Sequence, residues 1–271
     1  MKIAALQMVS GMRLDENLVA ARALLEEAAA AGAELAVLPE YFGLLGARDT
    51  DKLAIQEPFG AGPIQDFLAR ASRELGLWTV GGTLPITQGD GSRVRNTSLA
   101  FDPRGDCVAR YDKIHQFRFD NGSERFDEAR VLERGSEPAL FTLRARDGRA
   151  WRVGLSVCYD LRFPELYRHY AAQGAELLLV PSAFTHTTGQ AHWETLLRAR
   201  AIENLAYVLA PAQGGLHANG RRTWGHSMLV DPWGAVLAEQ AEGQGCVLGA
   251  LDAERLAEAR RMLPALEHRV L

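Results

Sequence analysis

The feature that most constrains this chain is that it partly repeats itself. The segment Gly32–Glu40, GAELAVLPE, resembles Gly174–Ser182, GAELLLVPS. Further on, Ser98–Gly105, SLAFDPRG, resembles Ser227–Gly234, SMLVDPWG. The two matches keep their order, with an insertion or deletion between them. In each copy a helix leads through glycine into a short apolar run that stops at proline. A second apolar run then meets an Asp-Pro-x-Gly turn that folds it back as a hairpin. Each half therefore supplies helices and a mixed sheet. Helices cover one face of each sheet, and the other face needs an apolar partner. The economical solution places the two sheets face to face with helices outside. The expected fold is α/β, a four-layer α-β-β-α sandwich with two pseudo-symmetric halves.

The remaining pattern fits this frame. Strands are predicted at Lys2–Val9, Leu35–Leu38, Leu77–Thr83, Thr97–Asp102, Val108–Tyr111, Arg152–Val157, Leu177–Val180, Tyr207–Pro211, Ser227–Asp231 and Cys246–Leu251. Helices are predicted at Asp15–Ala31, Pro63–Leu75, Pro164–Gln173, Gln190–Asn204 and Ala253–Met262. Asp15 with Asn17 offers a cap for the first helix, and Pro63 and Pro164 suit first-turn positions. No linker divides the chain, so residues 1–271 read as a single domain. The longest irregular stretch, Gln116–Pro138, is rich in charge, Asn and Gly, as functional loops of that length often are.

Composition narrows the partners. The net charge is −4 and the basic residues are scattered, which argues against nucleic acid or an anionic membrane surface. No apolar run is long enough to span a bilayer, and the opening MKIAALQMVS reads as a strand rather than a leader. Cys107, Cys158 and Cys246 are odd in number and far apart, so neither a disulfide framework nor a zinc knuckle is expected. The expected setting is the cytoplasm.

Three residues carry chemistry. Cys158 ends an apolar, β-branched run in WRVGLSVCYDLRFPEL, just before Pro164 opens a helix. A thiol on such a turn projects from a sheet edge into a cleft, where following backbone N–H groups can face an oxyanion and a nearby cation can activate the sulfur. The alternative is a buried structural cysteine, which is the reading kept for Cys107 and Cys246. Glu40 follows a buried strand and a proline in LAVLPEYF, a partly desolvated place suited to proton transfer. It occupies the position that Ser182 holds in the second half. The alternative is a solvated loop or cap glutamate. Lys113, in ARYDKIHQF, follows a short β-pattern in a chain with only three lysines, at 2, 52 and 113. Its ammonium could favour a thiolate and an oxyanion; the alternative is a surface lysine.

With these residues in place, the sequence resembles the nitrilase, or carbon–nitrogen hydrolase, superfamily over essentially its whole length. LPEYF, YDKIHQF and GLSVCYDLRFPEL match, in order and spacing, the blocks that hold that family's Glu–Lys–Cys triad. The resemblance implies the same α-β-β-α sandwich, a thioester mechanism, no metal or organic cofactor, and a homodimer joined through the helix after the nucleophile and the C-terminal segment. It also implies a second glutamate between the lysine and cysteine blocks. Glu128 matches best, with Glu124 and Glu133 as neighbours in the same loop. Arg162 resembles the family arginine that pairs with a substrate carboxylate; the alternative is a salt bridge to Asp160 or Glu165. Thr187 and Thr188 could bind the same carboxylate, and the Tyr159 N–H could hold the oxyanion.

More narrowly, PSAFTHTTGQAHWETLLRARAIENLAYVLAPAQGG and GHSMLVDPWG resemble the amidase branch acting on deaminated glutathione. The Phe184-Thr185 pair, the Ala212–Gly215 run and the LPALEHR ending favour that branch over the related ω-amidases, which act on α-ketoglutaramate. A small carboxylate-bearing amide is thus the expected substrate. The rivals are a nitrilase, a papain-like enzyme needing a thiol-paired histidine, a silent interaction module of the same fold, and a redox thiol sensor. His186 and His192 lack a third ligand for a metal.

Overall fold

The computed structural model describes residues 1–122 and 124–270. Its helices are α1 (Leu14–Ala30), α2 (Pro63–Leu75), α3 (Pro164–Ala172), α4 (His186–Asn204) and α5 (Ala253–Met262). One sheet runs in the order Gly245–Ala250, Lys2–Gln7, Leu35–Val37, Trp78–Val80, Arg93–Phe101, with Leu84–Gln88 and Cys107–Asp112 both pairing antiparallel to Arg93–Phe101. The other runs Val236–Gln240, Ser227–Val230, Tyr207–Ala210, Leu177–Leu179, Ala150–Leu155, Ala139–Arg144. Each has three parallel strands at its centre with antiparallel strands outside them. The described helices include none long and apolar enough to cross a membrane.

The repeated segments occupy equivalent places, down to single hydrogen bonds. Glu34 N–H donates to Lys2 O at 2.8 Å and its carbonyl accepts from Trp78 N–H at 2.9 Å; Glu176 makes the same pair with Arg152 O and Tyr207 N–H at 2.8 and 2.9 Å. In the hairpin turns, Asp102 Oδ1 accepts the N–H groups of Arg104 and Asp106, and Asp231 Oδ1 those of Trp233 and Ala235. Gly105 and Gly234 both sit at φ 85°, where a side chain would be strained, so each turn ends in glycine.

Alternation along the strands builds the layers. Ile3 and Ala5 face the second sheet with Leu35, Val37, Val153, Leu155, Leu177 and Leu179. Ala4 and Leu6 turn the other way, into a core with Leu24, Leu25 and Ala28 of α1 and Ile64, Phe67 and Leu68 of α2. The core on the second sheet's outer side holds Leu166 and Tyr170 of α3 and Trp193 and Leu197 of α4. Every large apolar side chain so buried contributes roughly 1.5–3 kcal/mol before entropy is counted.

Several local expectations need correction. Asp15 and Asn17 do not cap α1: the helix opens after Arg13, and Asp15 pairs with that arginine in the first turn. Asn17 instead binds Gly11 and the Gly43 carbonyl, fixing the loop that follows Glu40. The helix placed at Gln190–Asn204 starts at His186, because Thr185 accepts the Thr188 N–H as its cap. The run Leu77–Thr83 is strand only at Trp78–Val80, and the strands Leu84–Gln88, Ala139–Arg144 and Val236–Gln240 were not expected. Within Gln116–Pro138, Arg118–Asp120 pairs with Arg125–Asp127 as a small hairpin. Cys246 is half-buried, and Cys107 is exposed at the start of its strand rather than buried.

Candidate active site

Three strand ends converge at one edge of the sandwich. The Leu35–Val37 strand runs through Pro39 to Glu40, and the Leu177–Leu179 strand through Pro181 to Ser182. Beyond the Ala150–Leu155 strand, Cys158 opens a single tight helical turn, Cys158–Arg162, at φ 51°. That left-handed backbone is uncommon for a non-glycine residue and ends the strand abruptly. The Cys158 N–H is tied to Pro181 O at 3.0 Å.

Glu40 spans the two sheets. Its Oε1 accepts from Lys113 Nζ and Asn96 Nδ2, both at 2.9 Å, and its Oε2 accepts from the Ala183 N–H at 2.9 Å. Lys113 follows the Cys107–Asp112 strand, and its ammonium sits between two carboxylates. It reaches Glu40 Oε1 at 2.9 Å and both oxygens of Glu128 at 3.0 and 2.9 Å. Of the three loop glutamates, Glu128 is therefore the one at the site, and its Oε2 also accepts the Phe117 N–H at 2.7 Å. Glu124 instead accepts from Thr187 Oγ1, and Glu133 pairs with Arg95.

Electrostatics separates the roles these groups can play. Burial pushes the Cys158 thiol well above its ordinary value; the Glu40 carboxylate beside it adds to this, and the Lys113 ammonium opposes it. The resting sulfur is thus a thiol with a carboxylate at hand, not a preformed thiolate. Burial works against the Lys113 ammonium, but Glu128 and Glu40 outweigh it and hold the ammonium well above the usual lysine range. For Glu128, the penalty of burial is overcome by Lys113, the Phe117 N–H and Lys52, so its carboxyl lies below the usual range.

Beside the sulfur lies a narrow pocket lined by Phe117, Cys158, Tyr159, Arg162, Ala183, Phe184, Thr185 and Thr188. Arg162 makes neither of the salt bridges that could have explained it. Its guanidinium lies over Tyr159 and Phe184 and contacts His192 Nδ1 at 3.2 Å, with no carboxylate partner among the described residues. Thr188 lines the pocket with its hydroxyl against Thr185 Oγ1 at 2.8 Å. Thr187 does not: it is exposed on the rim and turned to Glu124, because the first turn of α4 sends adjacent side chains in different directions.

Sequence reasoning passed over the residues that hold these groups. Buried Asp160 accepts from Tyr111 Oη at 2.7 Å, Val157 N–H at 2.8 Å and His115 N–H at 3.1 Å, and contacts His115 Nδ1 at 2.7 Å. It thereby clamps the Cys158 turn to the segment on either side of Lys113. Gln213 Nε2 donates to the Glu40 carbonyl at 3.1 Å and to Ser10 Oγ at 2.8 Å. Tyr41 donates to Glu128 Oε1 at 2.9 Å. A signal existed for the first, since Asp160 sits within the Cys-Tyr-Asp-x-Arg turn. Asn96 and Gln213 lie in strands and loops remote in sequence, with nothing to mark them.

An α-β-β-α sandwich that gathers a thiol, two carboxylates and an ammonium at its common sheet edge is the frame of a hydrolase of carbon–nitrogen bonds. The chain belongs to the carbon–nitrogen hydrolase family, whose model matches residues 2–261. A Synechocystis protein named deaminated glutathione amidase is 41% identical over 98% of this chain and 97% of its own length. Among solved structures, Caenorhabditis elegans NitFhit matches with a TM-score of 0.89 at 37% identity, covering 99% of this chain and 65% of that one. Saccharomyces cerevisiae Nit3, a member of branch 10 of the nitrilase superfamily, matches with a TM-score of 0.88 at 28% identity, covering 100% and 97%.

Proposed function

We propose that the protein is a cysteine-dependent amidase that cleaves deaminated glutathione, an α-keto acid amide, through a thioester on Cys158. The observation that carries this is the meeting of Cys158, Glu40 and Lys113 in one buried cluster, beside a pocket whose Arg162 has no carboxylate partner among the described residues. The name borne by the Synechocystis relative supports the choice of amide.

The substrate carboxylate binds Arg162, with Thr188 at the same wall and Thr187 at the rim. Glu40 accepts the Cys158 proton as the sulfur attacks the amide carbon. Lys113 and the Tyr159 N–H stabilise the oxyanion. When the carbon–nitrogen bond breaks, the leaving nitrogen takes the proton from Glu40, since an amide anion is a very poor leaving group. Water positioned by Glu128 gives its proton to Glu40 and attacks the thioester, releasing the acid and restoring the thiol. None of these steps calls for a metal or organic cofactor. We further propose that residues 1–271 act as one unit in a homodimer. Exposed Ile202 on α4, Trp233, and Met262 at the end of α5 support such a contact. Three free cysteines suit a reducing setting such as the cytoplasm.

A substrate panel tests the reading. Deaminated glutathione should be hydrolysed faster than α-ketoglutaramate, carbamoyl amino acids and simple nitriles. Cys158→Ala should abolish turnover with the circular dichroism spectrum unchanged, and intact mass should catch an acyl adduct on the wild-type chain only. Retained turnover in Cys158→Ala would remove the nucleophile assignment, and preferred nitrile hydrolysis would make the protein a nitrilase. Sedimentation velocity checks the dimer.

A further inference from the structure

The chain has three lysines, and two of them lie at this site. Lys113 is fully engaged, but Lys52 is not. Its Nζ lies over the ring of Tyr41, 4.7 Å from the centroid, and among the described residues it has no carboxylate or hydrogen-bond partner. Tyr41 in turn holds Glu128 through its hydroxyl. Arg221 stands nearby in a similar condition. Its guanidinium lies 5.0 Å from the Phe126 ring centroid, its Nη2 reaches the Ala183 carbonyl only at 3.4 Å, and its buried Nε has no partner among the described residues. Lys52 and Arg221 line one shallow pocket with Tyr41, Leu44 and Gly46. Arg48 on the same rim is neutralised by Asp51, and Asp49 is the pocket's own acid.

Two cations facing one pocket, neither with a carboxylate in hydrogen-bonding contact among the described residues, favour an anion. Burial pushes the Lys52 ammonium below its ordinary value despite attraction from Glu128, Asp49 and Glu40, and an anionic ligand would reverse that cost. The pocket also lies in the right place. Ala183 lines the Cys158 pocket and touches Arg221, while the Tyr41 hydroxyl touches Glu128. An amide anchored by its acyl-side carboxylate on Arg162 would present its leaving nitrogen toward Glu40 and Glu128, and hence toward this second pocket. We propose that Lys52 and Arg221 form an anion subsite for a carboxylate carried by the leaving amine. The enzyme thereby selects amides charged at both ends over primary amides. In deaminated glutathione the leaving amine is cysteinylglycine, whose terminal carboxylate would be the ligand; this deepens the proposed function and rests on it.

The test uses deaminated glutathione and its analogue ending in a carboxamide instead of the glycine carboxylate. The wild-type kcat/KM should favour the acid by roughly 10- to 100-fold, the range expected for one charge-assisted contact. Arg221→Gln and Lys52→Met, made separately, should each bring that ratio close to one. A ratio near one in the wild type, or one unmoved in both variants, would overturn the subsite. If the wild type hydrolyses neither compound, the substrate reading falls, and the subsite is then judged by binding alone. In that case serylglycine, which keeps the terminal carboxylate but has no thiol to consume the reagent, should slow iodoacetamide labelling of Cys158 in the wild type but not in Arg221→Gln, and its carboxamide counterpart should not. Absence of such protection would remove the subsite too.

Discussion

At the scale of single residues, the site is a balance of buried charges in which Lys113 is the pivot. Its ammonium is shared by Glu40 and Glu128, all three being nearly or wholly out of solvent. Lys113→Met would remove the one ammonium in contact with both carboxylates among the described residues. It should cost about 3–5 kcal/mol in urea unfolding, in addition to its loss of kcat. Glu40→Gln should be milder in stability and severe in kcat, because the amide still accepts from Asn96 or Ala183 but cannot carry a proton. The pH dependence has two sides. Glu128 lies low when folded, so its contribution is present above the ordinary carboxylate range and fades as pH falls through its depressed value. Lys113 lies high, so its contribution is complete below the usual lysine range and fades only at more alkaline pH. Because the Cys158 thiol is also raised, its alkylation by iodoacetamide should keep accelerating past pH ~9, the ordinary thiol range. A plateau near neutrality would mean that a thiolate is already present.

At the scale of elements, Asp160 joins what the chain keeps apart. Tyr111 and His115 bracket Lys113, Val157 precedes Cys158, and all three bind one carboxylate. Asp160→Ala should therefore lower kcat about 10- to 100-fold by misplacing sulfur against ammonium, with KM little changed and partial recovery in Asp160→Asn. The meeting of Cys158, Lys113 and Glu40 was legible because each ends or closely follows a strand with strong local patterning, and because the repeat aligned Glu40 with Ser182. Thr187 stands on a different side from Thr188, turned to Glu124, and sequence alone does not say which way a helix's first turn points. The strands Ala139–Arg144 and Val236–Gln240 were missed because they lie on sheet edges. Exposed residues such as Val236 and Leu237 blur the alternation there. Asn96, Gln213 and Lys52 act only through contacts between distant segments, which no local pattern encodes.

At the scale of the whole molecule, the halves resemble each other but are not independent. The strand Gly245–Ala250 pairs with Lys2–Gln7, so the end of the chain completes the sheet of its beginning. The core between the sheets draws side chains from both halves. A chain ending at Pro138, or one lacking everything after Gly243, should fail to fold cooperatively, as checked by calorimetry; an independently stable half would contradict the shared core. The bond from Glu40 to the Ala183 N–H has a wider consequence. Glu40, the proposed proton carrier, is rooted on one shore of the sandwich and steadied from the other, so turnover would double as a gauge of how the two slabs are aligned. Loosening their contact away from the site edge, for instance by trimming Ile3 or Val153, should quench activity at urea concentrations where the backbone is still native.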